Sequence, residues 1–199
     1  MTTRSLLIAA ALGCTITTTL SAQTVDAPPA PAQKTGFEFL VSSGSVLPVG
    51  TEKGIIERGD LTAAQLSYVV HPALALTATV GWARSHDIST TDSPTLDLFT
   101  YDLGAEFRAP RMTVAEGVSV GPFAGVGAGA RSYNYRNLDV NATHNVAAYA
   151  SVGGQADVRR IGFRVEVRDY VSDFKPLSGT GKAVTGNDVM VMVGIRINK

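Results

Sequence analysis

GFRVEVRDYV, residues 162–171, carries a charged or polar side chain at nearly every second position. Arg164, Glu166, Arg168 and Tyr170 share one face, while Phe163, Val165 and Val167 share the other, the period of two that a β-strand imposes. A half-buried strand in a water-soluble sheet shows the same alternation, with its apolar face on a core. The fold therefore turns on which face of this strand meets water.

Seven further segments repeat the pattern, and after the amino-terminal stretch none keeps a helical period over a useful length. Phe37, Phe39 and Val41 oppose Glu38 and Ser42; Leu66, Tyr68 and Val70 oppose Gln65 and Ser67. Leu74, Leu76, Ala78, Val80 and Trp82 oppose Thr77, Thr79 and Gly81. Phe99, Tyr101, Leu103, Ala105 and Phe107 alternate with Thr100, Asp102, Gly104, Glu106 and Arg108. A fifth segment sets Val118, Val120, Ala124, Val126 and Ala128 against Ser119, Gly121, Gly125, Gly127 and Gly129. A sixth sets Val146, Ala148, Ala150 and Val152 against Tyr149, Ser151, Gln155 and Asp157. The quoted stretch is the seventh, and the eighth sets Val189, Val191, Val193, Ile195 and Ile197 against Asp188, Met190, Gly194 and Arg196.

The connections alternate as well. Those at His71-Pro72, Ala109 to Gly117 and Arg159-Arg160 are short to moderate, whereas Pro48 to Gly59, Ser85 to Thr95, Asn137 to Asn145 and Lys175 to Asn187 are longer and polar. Short turns at one end and long loops at the other define an all-β, eight-stranded antiparallel up-and-down transmembrane β-barrel. A soluble barrel turns its apolar face inward, and a membrane barrel turns it out to lipid. The fifth segment decides between them, because a face made mostly of glycine confers no solubility outside but makes room in a narrow interior.

The inner face then collects Glu38, Asp102, Glu106, Asp157 and Glu166 with Arg108, Arg164, Arg168 and Arg196. These nine residues are the expected interior charge network, since each buried ion needs a partner. On the apolar face Trp82, Phe99 and Tyr101 fall near one rim and Phe37, Tyr68, Phe107 and Phe163 near the other, the outline of two aromatic girdles. Strands of nine or ten residues tilted at about 40 degrees span a band of roughly 25 Å, the height of an outer membrane.

Residues 1–22 have a signal-peptide layout: Arg4, an apolar run from Leu6 to Leu12, then small residues to an expected cut after Ala22. The apolar run falls short of the about 20 residues a spanning helix needs. Ala11-Leu12-Gly13-Cys14 offers a weaker lipoprotein-box alternative; Cys14 is the only cysteine, so a chain cut after Ala22 has no disulfide. Residues 23–35 form a Pro- and Ala-rich periplasmic segment, and residues 36–199 form the barrel. Seventeen basic and seventeen acidic residues balance to zero, so no basic excess points to nucleic acid.

In strand number, loop asymmetry and stretches such as LSYVVHPALALTATVGWARS (66–85) and RIGFRVEVRDYV (160–171), residues 36–199 resemble the eight-stranded outer-membrane β-barrel proteins. That family includes the transmembrane domain of outer-membrane protein A and the OmpX-like proteins. The resemblance implies a bacterial outer-membrane location, with outer-membrane lipid and the barrel-assembly machinery as partners. Many such barrels end in an aromatic residue read by that machinery; this chain ends Ile197-Asn198-Lys199.

Enzymes occur on this architecture, and the lipid A deacylases among them use a His-x-Ser element. His71, His86 and His144 are followed by Pro72-Ala73, Asp87-Ile88 and Asn145-Val146, so none matches, and their spacing suits no metal. GVGAGA at 125–130 precedes no helix that would complete a phosphate loop, and Asn141-Ala142-Thr143 fits a sequon at chance frequency. The expectation is a non-enzymatic integral outer-membrane barrel with a structural or surface-interaction role and no cofactor, catalytic residue or metal. A narrow channel for small molecules and a soluble periplasmic ligand-binding barrel are the alternatives.

Overall fold

The computed structural model describes residues 35–136, 138–139, 141–158, 161–174 and 184–197. The expected signal peptide, nearly all of the Pro- and Ala-rich segment and the Arg159-Arg160 turn lie outside them. Eight long strands follow the alternating segments: β1 (Gly36–Val49), β2 (Gly59–His71), β3 (Leu74–His86), β4 (Thr95–Arg108), β6 (Val118–Tyr135), β7 (Thr143–Val158), β8 (Ile161–Phe174) and β9 (Val184–Ile197). A short strand, β5 (Met112–Ala115), precedes β6.

Each long strand pairs antiparallel with its neighbours in the order β4-β3-β2-β1-β9-β8-β7-β6, and β4 pairs with β6 to close the ring. Closure leaves none of the eight with an unpaired edge, which is what lets a β-structure sit in a medium with no hydrogen-bonding capacity. Among the described residues no helix is long and apolar enough to cross a membrane.

The faces answer the question posed by residues 162–171. Phe163, Val165 and Val167 are exposed on the outside of the barrel, while Arg164, Glu166, Arg168 and Tyr170 are buried within it. The same holds around the ring: Val146 is 82% and Leu103 71% exposed, whereas Arg131 is 0% and Glu106 2%. A soluble ligand-binding barrel requires the reverse, with its apolar faces turned inward. The fold is that of a membrane barrel.

Local structure departs from the sequence reading in two ways. The strands run 13 to 18 residues instead of nine or ten, and β6 continues past Gly129 to Tyr135. The added stretch of β6 buries Arg131, Tyr133 and Tyr135 near the loop end. The connection expected between Ala109 and Gly117 contains β5, which folds back onto Val118–Val120 of β6. Gly117, at φ +71°, makes the tight turn between them.

At the opposite end, the β1–β2 loop does not extend into solvent. A 3-10 turn at Gly50–Gly54 leads to Ile55 and Ile56, and the Ile88 N–H donates to the Ile55 carbonyl at 2.8 Å. Glu57 N–H reaches the His86 carbonyl at 2.9 Å, which ties this loop to the β3–β4 connection. Ile56 packs into an apolar cluster with Val46, Leu61, Leu96, Leu98 and Tyr133. The loop thus folds over one side of the barrel mouth.

Candidate functional site: the charged interior

Strand alternation directs one residue in two from every strand toward a common axis, so charges distant in sequence meet in the lumen. At the short-turn end Arg108 from β4 donates to Glu38 of β1 at 2.8 Å and to Glu106 at 2.6 Å. Arg196 of β9 reaches the same Glu38 at 3.2 Å, Gln155 at 2.8 Å and Asp157 of β7 at 2.6 Å. Arg111, from the β4–β5 connection, adds a second cation on Asp157 at 2.5 Å.

The middle layer is built on β8. Arg164 bridges Glu106 at 2.6 Å and Glu166 at 3.0 Å, with its guanidinium 3.6 Å from the centre of the Phe123 ring. Arg168 donates to Glu166 at 2.9 Å and to the Tyr170 hydroxyl at 3.1 Å, and lies 4.3 Å from the centre of the Tyr149 ring. Tyr170 in turn donates to Asp102 of β4 at 2.5 Å. Room for the Tyr149 ring comes from two glycines: a Cβ on Gly104 would lie 2.1 Å from its hydroxyl, and one on Gly127 2.5 Å from its Cε1.

At the loop end Arg131 of β6 pairs with Asp188 of β9 and donates to Ser172 at 3.2 Å. Glu52, on the 3-10 turn, enters the mouth above this pair and is 1% exposed. Burial first, then the neighbouring Asp188, pushes its carboxyl up from the usual 4.5 to about 8. Glu52 is therefore predominantly a neutral acid at pH 7, able to donate a proton to Asp188, which in turn faces Arg131.

All nine residues of the expected network face the interior, and each takes part in an ion pair. The seven girdle aromatics face outward, with Phe37 and Tyr68 in contact at 4.9 Å between ring centres. Sequence reading missed Arg131, Arg111 and Glu52. Arg131 follows the glycine run at the right parity, and its place on an extended β6 is the signal that would have found it. Glu52 lies in a loop, where parity carries no information.

The arrangement pairs buried ions with one another inside the barrel. The ion pairs and stacked rings lie along the interior, and the apolar cavity beneath the β1–β2 loop, lined by Val46, Ile56, Leu98 and Tyr133, measures about 10 Å³, at the lower limit for one water. Among the described residues no three His, Cys, Asp or Glu side chains gather as metal ligands. Ser132 is the register partner of His144 across β6 and β7.

Solved structures share this architecture. The chain is similar to Neisserial surface protein A at 11% identity and a TM-score of 0.60, over 82% of this chain and 97% of that one. It is also similar to the amino-terminal β-barrel domain of Pseudomonas aeruginosa OprF, at 14% identity and 0.49, covering 83% and 98%. The outer-membrane enzyme PagL matches at 10% identity and 0.40, covering 81% and 99%. No protein-family model matches the chain, and no curated protein does. The closed ring, the inverted faces and the likeness to the first of these structures give the chain the fold of the eight-stranded outer-membrane β-barrels.

Proposed function

We propose that this chain is an integral protein of the bacterial outer membrane, crossing it as the eight-stranded barrel with its short turns in the periplasm and its long loops outside. Its role is structural or surface-interacting and not enzymatic. The observation that supports this reading is the inversion of faces: aliphatic and aromatic side chains cover the outside while arginines and acids pair along the axis. Lipid fits the apolar wall, the aromatic rims fit its two interfaces, and the loops are the part left free to meet other molecules. The barrel-assembly machinery is the partner such a strand set requires during insertion.

Expression of the full-length chain in a bacterium with an outer membrane tests this. The protein is expected in the outer-membrane fraction, migrating differently on a detergent gel before and after boiling, and without steady conductance in a planar bilayer because ion pairs and stacked rings lie along its interior. A water-soluble periplasmic product with no mobility shift overturns the proposal.

A further inference from the structure

One patch on the outer wall does not behave like plain lipid-facing surface. Toward the loop end β3 presents Val80, Trp82 and Arg84 outward in succession, and β4 presents Tyr101, Phe99 and Asp97 beside them in register. Asp97 points out of the barrel, yet its side chain is 6% exposed, because three donors cover it. Arg84 Nε donates to Oδ1 at 3.1 Å, Trp82 Nε1 to the same oxygen at 3.2 Å, and Arg136 Nε to Oδ2 at 2.6 Å. The Arg84 guanidinium also lies over the Trp82 ring at 4.8 Å. Both arginine side chains remain open to the outside, 41% and 50% exposed.

The bonds to Asp97 are made by the Nε of each guanidinium, one to each carboxylate oxygen, while both side chains stay partly exposed. Arg84 and Arg136 outnumber the one acid they share, and the second acid of the neighbourhood, Asp60, stands to one side of Arg84. Asp60, the register partner of Arg84, is exposed on the β2 side, so the positive side of the patch faces β4 and β6. Paired guanidiniums match the oxygens of a phosphate better than those of any neutral headgroup.

Below the arginines on the same strands lies a hollow of about 610 Å³, within the range of ligand sites. Ala64, Ala78, Ala128 and Ala130 form its floor, and Leu66 and Leu103 stand at its sides. Its lining is apolar and continuous, through Tyr101 and Trp82, with the cations above. A cation pair at a rim over an apolar hollow in the wall has the polarity of an anionic lipid set upright in a membrane.

We infer that the β3–β4–β6 face is a specific site for a phosphorylated, multiply acylated lipid of the outer leaflet, with its phosphate on Arg84 and Arg136 and an acyl chain in the alanine-floored hollow. This rests on the outer-membrane reading above, which places the loop end in that leaflet. Trp82 works as a positioning residue, holding Arg84 flat against the wall.

The barrel refolded in a zwitterionic detergent, first checked for its gel shift, is incubated with diphosphoryl lipid A or with phosphatidylcholine and examined by native mass spectrometry. Wild type is expected to retain lipid A in preference to phosphatidylcholine. R84Q/R136Q should lower lipid A retention about tenfold, the loss of charge-assisted hydrogen bonds, and leave phosphatidylcholine unchanged. A128F, remote from the arginines, should lower lipid A retention by filling the hollow, and it answers the question if the double variant does not fold. Equal retention of the two lipids by wild type, or unchanged lipid A retention in either folded variant, overturns the inference while leaving the barrel reading intact. A wild-type protein that shows no gel shift and needs no detergent overturns both.

Discussion

Gly186 has no side chain at the point where Glu52 enters the barrel: a Cβ there would lie 1.9 Å from the Glu52 Oε1 and 2.3 Å from its Cδ. β9 thus makes the space through which the β1–β2 loop reaches Asp188 and Arg131. Gly186→Ala is expected to push out the flexible carboxylate rather than the strand, since the clash is with a side-chain tip. A fluorophore at Lys53→Cys, on the exposed neighbour of Glu52, should report a more solvated loop. The barrel should keep its gel shift, with a stability loss of about 1 to 2 kcal/mol by urea titration in detergent. An unchanged fluorophore environment would mean that Gly186 does not hold the loop in place.

Docking of the same loop should depend on pH. The Glu52 carboxyl is raised from 4.5 to about 8 in the docked loop, so the docked form holds a proton that the undocked form releases. Docking is then strongest below about pH 4.5, weakens by at most about 1.4 kcal/mol per pH unit up to about pH 8, and is flat above that. Burial and the Asp188 charge raise the midpoint, and the Arg131 charge partly offsets them. The Lys53→Cys fluorophore should become more mobile between pH 5 and 8, and Glu52→Gln, which stays neutral, should abolish the trend. An identical pH response in wild type and Glu52→Gln would assign the effect to another group.

Glu166 is shared by Arg164 at 3.0 Å and Arg168 at 2.9 Å inside the barrel. Removing it leaves two buried cations with Glu106 and Asp102 as their remaining anions. Glu166→Ala should destabilise the folded barrel by about 3 kcal/mol in equilibrium urea unfolding, because an uncompensated charge stays buried. Glu166→Gln keeps the volume and separates charge from packing. A loss too small to measure for Glu166→Ala would show that the interior is hydrated enough to screen its ions.

The outer wall makes the opposite demand. Val165, between the two arginines of β8, is 54% exposed and faces outward. Val165→Arg should cost about 2 to 4 kcal/mol near the bilayer midplane when stability is measured in liposomes. The same substitution in a water-exposed wall is nearly neutral, so a flat result would show that this face meets no lipid.

What the sequence determined by itself is the part of the fold that is local. Alternation with period two placed Arg164, Glu166 and Arg168 on one face and Phe163, Val165 and Val167 on the other, and the glycine face of β6 pointed that polar side inward. Face assignment needs only the pleat of a strand and the solvent preference of its side chains, so it is written residue by residue. Tertiary structure alone decided which ion meets which. Arg108 joins Glu38 across 70 positions and Arg196 joins Glu38 across 158, pairings set by the stagger at which the ring closes. It also decided that Glu52 turns from a polar loop into the barrel mouth, and that Arg84 and Arg136 converge on Asp97 outside the wall. Loop entry and cross-strand convergence depend on the closed shape of the barrel, and no periodicity in a single strand encodes that shape.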